Sequence, residues 1–364
     1  DYFRIVNHNT SVQKMNPLSK LLTRQIRYNG PMSISQFMEI CLLHPKYGYY
    51  TNSSPFGQKG DFVTAPEVSQ MFGELIGLFL AQAWSDQKNL EEAVLVELGP
   101  GRGTLAADIM RVTKSIKHFP KKIYLLEVSD KLKLLQKSKL EDYQVEWIEN
   151  LNQIPPGPII LIANEFFDSL PINQYVKEAD GWHERLIGIK DDKLAFGTSE
   201  QKLKIQSTDY FTQTVEGDIV EIRPSVEPII TEISNKISHW GGISLIIDYG
   251  SWNLKGNTFQ AIKGHDFINP LEKPGEVDLS AHVDFSALAR NASNCLISKL
   301  TDQGVLLERL GITERAKILS KSLKADDLKN HVAAHRRLTH PKEMGTLFKV
   351  MAILPKLSQM PLGL

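Results

Sequence analysis

Cysteine is scarce in this sequence of 364 residues, and neither sign of charge is in excess. The two cysteines, Cys41 and Cys295, are too few for a disulfide framework or a cysteine-rich zinc module, which fits a reducing compartment. Forty-two lysines and arginines balance 42 aspartates and glutamates, so we expect no broad nucleic-acid-binding surface. A hydrophobic content of 42% is ordinary for a globular protein with a full core.

Long hydrophobic runs are also missing. The most apolar window, residues 75–84, is about half as long as the roughly 20 residues of a membrane span, so it predicts a buried helix.

His331 and His335 lack the glutamate that zinc proteases place after the first histidine, and we expect no metal site. The sequence begins at Asp1, without Met and without an apolar signal-peptide core, so removal of a targeting segment stays open. A reducing compartment fits both the bacterial cytoplasm and the mitochondrial matrix. The oligomeric state is not predictable from these features.

Apolar residues spaced by three and four positions predict helices in the first part of the chain. These predicted helices are 16–28, 35–43 and 67–84. The long stretch 44–66 between the second and third is rich in glycine and aromatic residues. Loops of this length inside compact domains are usually functional, so we expect a loop that covers a ligand.

Short apolar runs then alternate with helical stretches, which is typical of a mostly parallel sheet covered on both faces. The predicted strands are 94–98, 123–127, 145–148, 159–163, 243–248 and 348–354. Residues 172–238 break this rhythm, and turns at Asp180-Gly181 and Asp191-Asp192 predict a β-rich insertion there. We expect a loop over 250–274 and helices over 285–335.

The most informative motif, Glu97-Leu-Gly-Pro-Gly-Arg-Gly-Thr104, stands between a predicted strand and a predicted helix. Open α/β sheets bind ligands at the carboxyl ends of their strands, where glycines allow close approach of the backbone. The Gly-Lys-Ser/Thr of a phosphate-binding loop is missing. A dinucleotide pattern fits from Gly101 with Ala106 in the third place, so NAD stays open as an alternative. Gly-x-Gly-x-Gly after an acidic strand residue better matches class I S-adenosylmethionine-dependent methyltransferases.

This motif predicts how S-adenosylmethionine would bind. Glu97 would attract the ammonium group, and Glu127, at the end of the next strand, would accept the ribose hydroxyls. Asn150, beyond the third strand, would approach the adenine edge, and the carboxylate would lie at a helix N-terminus. In the long loop, Asp61 and Thr64 would cover the cofactor. The backbone that wraps the aminocarboxypropyl group would come from Gly99, Pro100, Gly101 and Gly103.

The fourth strand ends in Asn164-Glu-Phe-Phe-Asp168, beside the predicted methyl group. We interpret Asn164, Glu165 and Asp168 as the catalytic residues, because paired carboxylates suit a cationic acceptor such as a guanidinium. An alternative is that Glu165 caps a turn and Asp168 starts a helix.

The later stretch around 264–285 is rich in acids and imidazole without metal spacing. We predict substrate contacts from His265, Asp278 and His282, on a lid that closes over the bound acceptor. Asp284 in the same stretch fits either this lid or the N-cap of the next helix.

Six motifs together are similar to those of the MidA-like methyltransferases. They are Gly30-Pro-Met-Ser-Ile-Ser-Gln-Phe-Met, His44-Pro-Lys-Tyr-Gly-Tyr-Tyr, Gly60-Asp-Phe-Val-Thr-Ala-Pro-Glu-Val-Ser-Gln-Met-Phe-Gly-Glu-Leu, Glu97-Leu-Gly-Pro-Gly-Arg-Gly-Thr, Asn164-Glu-Phe-Phe-Asp-Ser-Leu-Pro and Asp278-Leu-Ser-Ala-His-Val-Asp-Phe. The resemblance implies an α/β, class I, Rossmann-like fold and S-adenosylmethionine as cofactor. It also implies that the methyl acceptor is an arginine of a protein. The mitochondrial members of the family dimethylate such an arginine symmetrically in a core subunit of respiratory complex I.

We therefore divide the chain into three parts: a helical region 1–90 with the covering loop, a methyltransferase core over 91–170 and 241–364, and a β-rich, substrate-side insertion over 171–240. The leading hypothesis is a protein arginine methyltransferase with a protein partner, without nucleic acid and without a membrane span. A small-molecule methyltransferase and a non-catalytic, cofactor-binding assembly factor are the alternatives.

Overall fold

In the computed structural model, the described residues are 3–5, 15–52, 63–87, 91–203, 211, 214–264 and 266–364. Asp61 and His265, predicted to contact the cofactor and the substrate, lie outside these ranges. Helices and strands alternate along the described part, which confirms an α/β fold with a mixed sheet.

The N-terminal helices begin where local capping predicts. The side chain of Asn16 accepts a hydrogen bond from the Ser19 amide at 2.7 Å and starts the first helix. The single helix predicted over 67–84 is wrong, because Ser69 is extended and its hydroxyl caps a second helix at the Met71 amide. The elements are β1 (Phe3–Ile5), α1 (Pro17–Asn29), β2 (Met32–Ser33), α2 (Ile34–Leu43), α3 (Tyr49–Asn52), α4 (Ala65–Val68) and α5 (Gln70–Asp86).

Four strands alternate with helices over residues 91–164, as predicted. Every residue of the first and the last of these strands is buried, which fits parallel strands covered on both faces. The elements are β3 (Val94–Leu98), α6 (Thr104–Thr113), β4 (Lys122–Leu126), α7 (Asp130–Lys139), β5 (Gln144–Ile148), a 3₁₀ turn (Leu151–Gln153) and β6 (Ile159–Asn164).

Four antiparallel strands and one helix follow. Asp191 and Asp192 both have positive φ, 49° and 61°, as the tight turn of a twisted hairpin requires. The elements are β7 (Asn173–Glu178), β8 (Gly181–Lys190), β9 (Lys193–Lys202), β10 (Ile219–Ile222) and α8 (Val226–Trp240).

The C-terminal part contains more strand than the sequence predicts. Its elements are β11 (Gly242–Ser251), β12 (Gln260–Lys263), β13 (Asp266–Ile268), β14 (Asp278–Ser280), β15 (Val283–Asp284), α9 (Phe285–Asn291), β16 (Cys295–Ile297), β17 (Thr301–Asp302), α10 (Gln303–Arg309), α11 (Ile312–Ser320), α12 (Ala325–Thr339), α13 (Met344–Leu347) and β18 (Phe348–Pro355). Two expectations are therefore wrong: the loop over 250–274 includes β12 and β13, and β16 and β17 interrupt the helices over 285–335. Strands of two to four residues are too short to show a period, and pairing with other strands defines them.

The large sheet has the order β16-β18-β11-β6-β3-β4-β5, with β15 beside β11 and β17 beside β18. Strands β3, β4, β5, β6 and β11 run parallel, whereas β18 is antiparallel to β11, β16 and β17. Apolar residues of α5 and α6 share one core with this sheet, and those of α8 and α9 share a second. The sheet is thus covered by helices on two faces.

A third core lies outside the large sheet. One antiparallel sheet has the order β1-β9-β8-β7-β10, with β2 paired to β8, and a smaller sheet has the order β13-β12-β14. Leu22 of α1 and Phe37 of α2 share this core with Ile187 of β8 and Leu279 of β14. Helices α1 and α2 therefore pack with the β-rich sheets, while α5 packs with the large one.

Candidate active site

Four parallel strands end at the same edge of the large sheet. Leu98 of β3 pairs with Leu126 of β4 and with Ala163 of β6, and Asn164 pairs with Ile247 of β11. A cavity of about 920 Å³ opens at this edge, within the size range of ligand pockets. The predicted site residues that line it are Thr64, Glu97, Gly99, Pro100, Gly101, Glu127, Asn150, Asn164, Glu165, Asp168, Asp278 and His282.

The glycine loop bends sharply between β3 and α6. Gly99, Gly101 and Gly103 all have left-handed φ, at 63°, 52° and 76°. A Cβ on Gly99 would lie 2.9 Å from Cδ2 of Phe166, so only glycine fits there. Gly103 is not among the lining residues; it precedes α6 and packs against Gln136, and its amide donates to the Pro100 carbonyl at 2.7 Å.

Glu97 brings a buried acid to the start of this loop. Its side chain is 3% exposed, and its Oε2 has no hydrogen-bond partner among the described residues. Burial raises the pKa of Glu97 to about 8, and nearby Glu127 adds to the shift. A cationic ligand group at Oε2 would therefore stabilise the ionised carboxylate.

Glu127 lies just past the end of β4 and is held from two sides. Its Oε1 accepts from the Ser129 amide at 2.8 Å, and its Oε2 accepts from Nε2 of Gln136 at 3.1 Å. The same Gln136 amide donates to the Gly101 carbonyl at 2.7 Å and accepts from the Trp147 indole at 2.8 Å. Gln136 thus fixes the acid and the glycine loop relative to each other, a connection that the sequence analysis missed.

The end of β6 forms the second polar wall of the cavity. Glu165 has an unusual φ of 52°, and its Oε1 accepts from the Ala65 amide at 2.9 Å and from Nδ2 of Asn164 at 3.1 Å. Burial raises the pKa of Glu165 to about 7 and also raises the pKa of Asp168. Oδ1 of Asn164 and Oδ1 of Asp168 are both buried without a partner among the described residues. Glu165 does hold the first residue of α4, whereas Asp168 lies in a turn and starts no helix.

Asp248, in the last part of β11, hydrogen-bonds to the backbone of this wall from the side away from the cavity. Its Oδ2 accepts from the backbone amides of Phe167 and Asp168 at 3.0 and 3.2 Å, and its side chain is fully buried. Burial and the neighbouring Asp168 raise the pKa of Asp248 well above its usual range. Arg223 donates to the carbonyls of Leu170 and Ala281, again behind the wall. The sequence analysis missed both residues; the strand-end motif Asp248-Tyr-Gly was the available signal for the first.

Two of the three predicted substrate residues, Asp278 and His282, line the same cavity. Asp278 accepts a hydrogen bond from the Tyr50 hydroxyl at 2.9 Å. The His282 ring packs edge-on against Tyr249 at 5.1 Å, and burial lowers the pKa of His282. Asp284 is the N-cap of α9, where it accepts from the Ser286 amide at 3.0 Å.

The described residues include one group of possible metal ligands and no membrane-spanning helix. Glu178, Asp180 and His183 are the one group there whose ligand atoms lie close enough to share a metal ion, and they do not line the cavity. Asp180 already pairs with Lys202 at 3.1 Å. Among the same ranges, every helix is too short or too polar to cross a bilayer.

Known proteins resemble this chain along almost all of its length. Residues 75–301 match a family of S-adenosyl-L-methionine-dependent methyltransferases. The mitochondrial protein arginine methyltransferase NDUFAF7 of Xenopus laevis is 35% identical over 93% of this chain and 85% of its own length, and the human NDUFAF7 is 33% identical over 94% and 84%. A Burkholderia thailandensis protein crystallised with S-adenosyl-homocysteine has the same fold, with a TM-score of 0.84 and 24% identity over 97% of both chains.

Proposed function

Since the chain belongs to this family of S-adenosyl-L-methionine-dependent methyltransferases, we propose that it methylates arginine side chains of a protein. Relatives from Xenopus laevis and human are named protein arginine methyltransferases, and the alignment covers nearly the whole chain. The observation that carries the proposal is a pair of buried oxygens without partners among the described residues, Oδ1 of Asn164 and Oδ1 of Asp168. Both residues line the cavity that Glu97 also lines.

The residues around the glycine loop fit S-adenosylmethionine. The unpartnered Oε2 of Glu97 suits the ammonium group, and Gly99 and Gly101 line the cavity, where a ligand can lie against the loop. Glu127 would accept hydrogen bonds from the ribose hydroxyls. Asn150 and Thr64, which line the same cavity, would contact the adenosine. The bound cofactor supplies an electrophilic methyl group on a sulfonium.

The second wall fits a guanidinium. Glu165 and Asp168 would accept its N–H groups as paired, charge-assisted hydrogen bonds, and Asn164 would accept one more through Oδ1. These bonds would orient one nitrogen toward the methyl group, and positioning of this kind provides much of the rate. The transferred methyl displaces a proton from that nitrogen, and a carboxylate whose pKa is raised toward neutrality, as in Glu165, is suited to receive it.

We make more specific proposals for the fold class, the compartment and the protein partner. The order β5-β4-β3-β6-β11-β18-β16, with β18 antiparallel, supports a class I methyltransferase arrangement. The relatives are named as mitochondrial proteins, and we propose the same compartment for this chain. The resemblance to the MidA-like methyltransferases further suggests a complex I core subunit as its protein partner. In a bacterial source the same enzyme would work in the cytoplasm.

A transfer assay with methyl-labelled S-adenosylmethionine tests the proposal. Complex I subunits or arginine peptides serve as acceptors, and mass spectrometry locates the methyl group. We expect methylarginine, and we expect Glu165→Gln to lower kcat by roughly 10²–10⁴-fold while calorimetry shows cofactor binding within about threefold of wild type. Glu141→Gln, on the exposed surface, is the control.

Three results would contradict the proposal. Methyl transfer to small metabolites but to no arginine would favour a small-molecule methyltransferase. Cofactor binding without transfer to any acceptor would favour an assembly factor, and calorimetric preference for NAD would overturn the cofactor assignment.

A further inference from the structure

The mouth of the cavity carries exposed apolar side chains. Phe267 of β13 is 73% exposed, and Leu43, Val128 and Leu347 are also exposed; all four line the cavity. They come from four separate segments: the end of α2, the link from β4 to α7, the hairpin strand β13 and the end of α13. Single exposed apolar residues need no explanation, but these four all line one cavity, and we call them its apolar rim.

The interior of the cavity is acidic. Nine of its lining residues are carboxylates, and two, Arg102 and Arg337, are guanidinium groups. Arg102 already pairs with Glu67 at 3.8 Å. The acids are Glu39, Glu67, Glu97, Glu127, Glu149, Glu165, Asp168, Glu232 and Asp278. Even with the buried Glu97 and Glu165 protonated, the carboxylates outnumber the two guanidinium groups, so the cavity attracts cations and repels phosphate and carboxylate ligands.

We infer that the acceptor arginine is presented by a polypeptide segment with apolar residues next to the arginine, and that Leu43, Val128, Phe267 and Leu347 bind those neighbours. The inference rests on the proposed function and specifies its substrate. Charge complementarity selects the occupant, because a guanidinium satisfies the acidic interior while only a longer segment covers the apolar rim. Free arginine would leave the rim exposed to water.

Three synthetic peptides with one central arginine test the inference. In one the flanking residues are leucine and phenylalanine, in the second glycine and serine, and in the third glutamate. We expect wild-type kcat/KM to be at least about tenfold higher for the apolar peptide than for the glycine–serine peptide, since burying one large apolar side chain is worth about that much. The glutamate peptide and free arginine should be the poorest acceptors, because the interior repels carboxylates.

Variants of the rim localise the effect. The single variant Phe267→Ser and the double variant Phe267→Ser/Leu347→Ser should both reduce the preference for the apolar peptide. The main cause should be a higher KM for that peptide. Leu357→Ser is the matched control, because Leu357 is exposed and lies outside the cavity. Thermal unfolding checks that each variant folds.

Each outcome distinguishes the two claims. If wild type methylates the apolar and glycine–serine peptides equally well, or if the rim variants keep the full preference, the inference is overturned while the proposed function stands. If wild type binds S-adenosylmethionine and methylates no arginine in any peptide or complex I subunit, the proposed function fails first.

Discussion

Burial raises the pKa of Glu97 to about 8, far above the pKa of 4.5 of an exposed glutamate. A cation at Oε2 needs the ionised form, so the cation and the proton compete for the same side chain. The protonation of this one residue consequently links cofactor affinity to pH.

We predict that S-adenosylmethionine binds more tightly as the pH rises from about 6 to about 7.5, by up to roughly tenfold per pH unit, because binding releases the Glu97 proton. Isothermal titration in buffers of different ionisation enthalpy measures both the affinity and the released proton. Glu97→Gln should bind more weakly with a flatter pH profile, while the exposed Glu141→Gln keeps the wild-type profile. Proton release that persists in Glu97→Gln would contradict the prediction.

The local sequence was enough to predict some single residues but not others. Glu97, Glu127 and Asn164 follow or end apolar runs, and a run of this kind identifies the strand end without any knowledge of distant contacts. Asp248 and Gln136 act through hydrogen bonds to residues that are far away in the chain or on another element. Such contacts exist only after the fold has formed, so spacing alone does not show them.

At the scale of elements, the bend between β3 and α6 depends on glycine for two separate reasons. Gly99 needs both a left-handed φ and open space beside Phe166, whereas Gly217 has a φ of 92° and no atom within 4 Å of the place that a Cβ would take. These two positions separate the effect of backbone strain from the effect of crowding.

Gly99→Ala should lower S-adenosylmethionine affinity by at least about tenfold, because the methyl group adds a clash with Phe166 to about 1–2 kcal/mol of backbone strain. Gly217→Ala should lose less stability, from backbone strain alone, and keep wild-type affinity. Calorimetry and thermal unfolding of both variants provide the comparison. Equal affinity in the two variants would mean that the cofactor does not approach this loop.

Elements with a clear period were predicted well and short ones were not. The strands β3 to β6 and the helix α1 have long apolar patterns, and their positions agree with the sequence to within a few residues. The break at Ser69 follows from one hydroxyl that competes for the helix backbone. Strands β12, β13, β16 and β17 exist only through pairing with neighbouring strands. Their own sequences have no strand pattern, so the sequence predicts loop or helix there.

At the scale of the whole molecule, the apolar interior is divided among three clusters. Two of them share the large sheet, and the third joins α1 and α2 to the β-rich sheets. Phe37 is fully buried in the third cluster and lines no part of the cavity. It is therefore a suitable position for testing whether the clusters unfold together.

Phe37→Ala should cost about 3–5 kcal/mol of the third cluster's stability, because it leaves a large void in a close-packed interior. Hydrogen exchange measured by mass spectrometry should become faster in α1, α2 and β8 and remain slow in β3 and β6. The variant should still bind S-adenosylmethionine through Glu97 and the glycine loop. Uniformly faster exchange across all five elements would show one cooperative unit instead.

The hydrogen bond from the Ala65 amide to Glu165 joins two segments that are 100 positions apart in the chain. An amide donor is held more strongly by a charged oxygen than by a neutral one. An acceptor cation that ionises Glu165 therefore also anchors the start of α4 more firmly. By thermodynamic reciprocity, this hydrogen bond favours the ionised Glu165 and so raises the affinity for that cation.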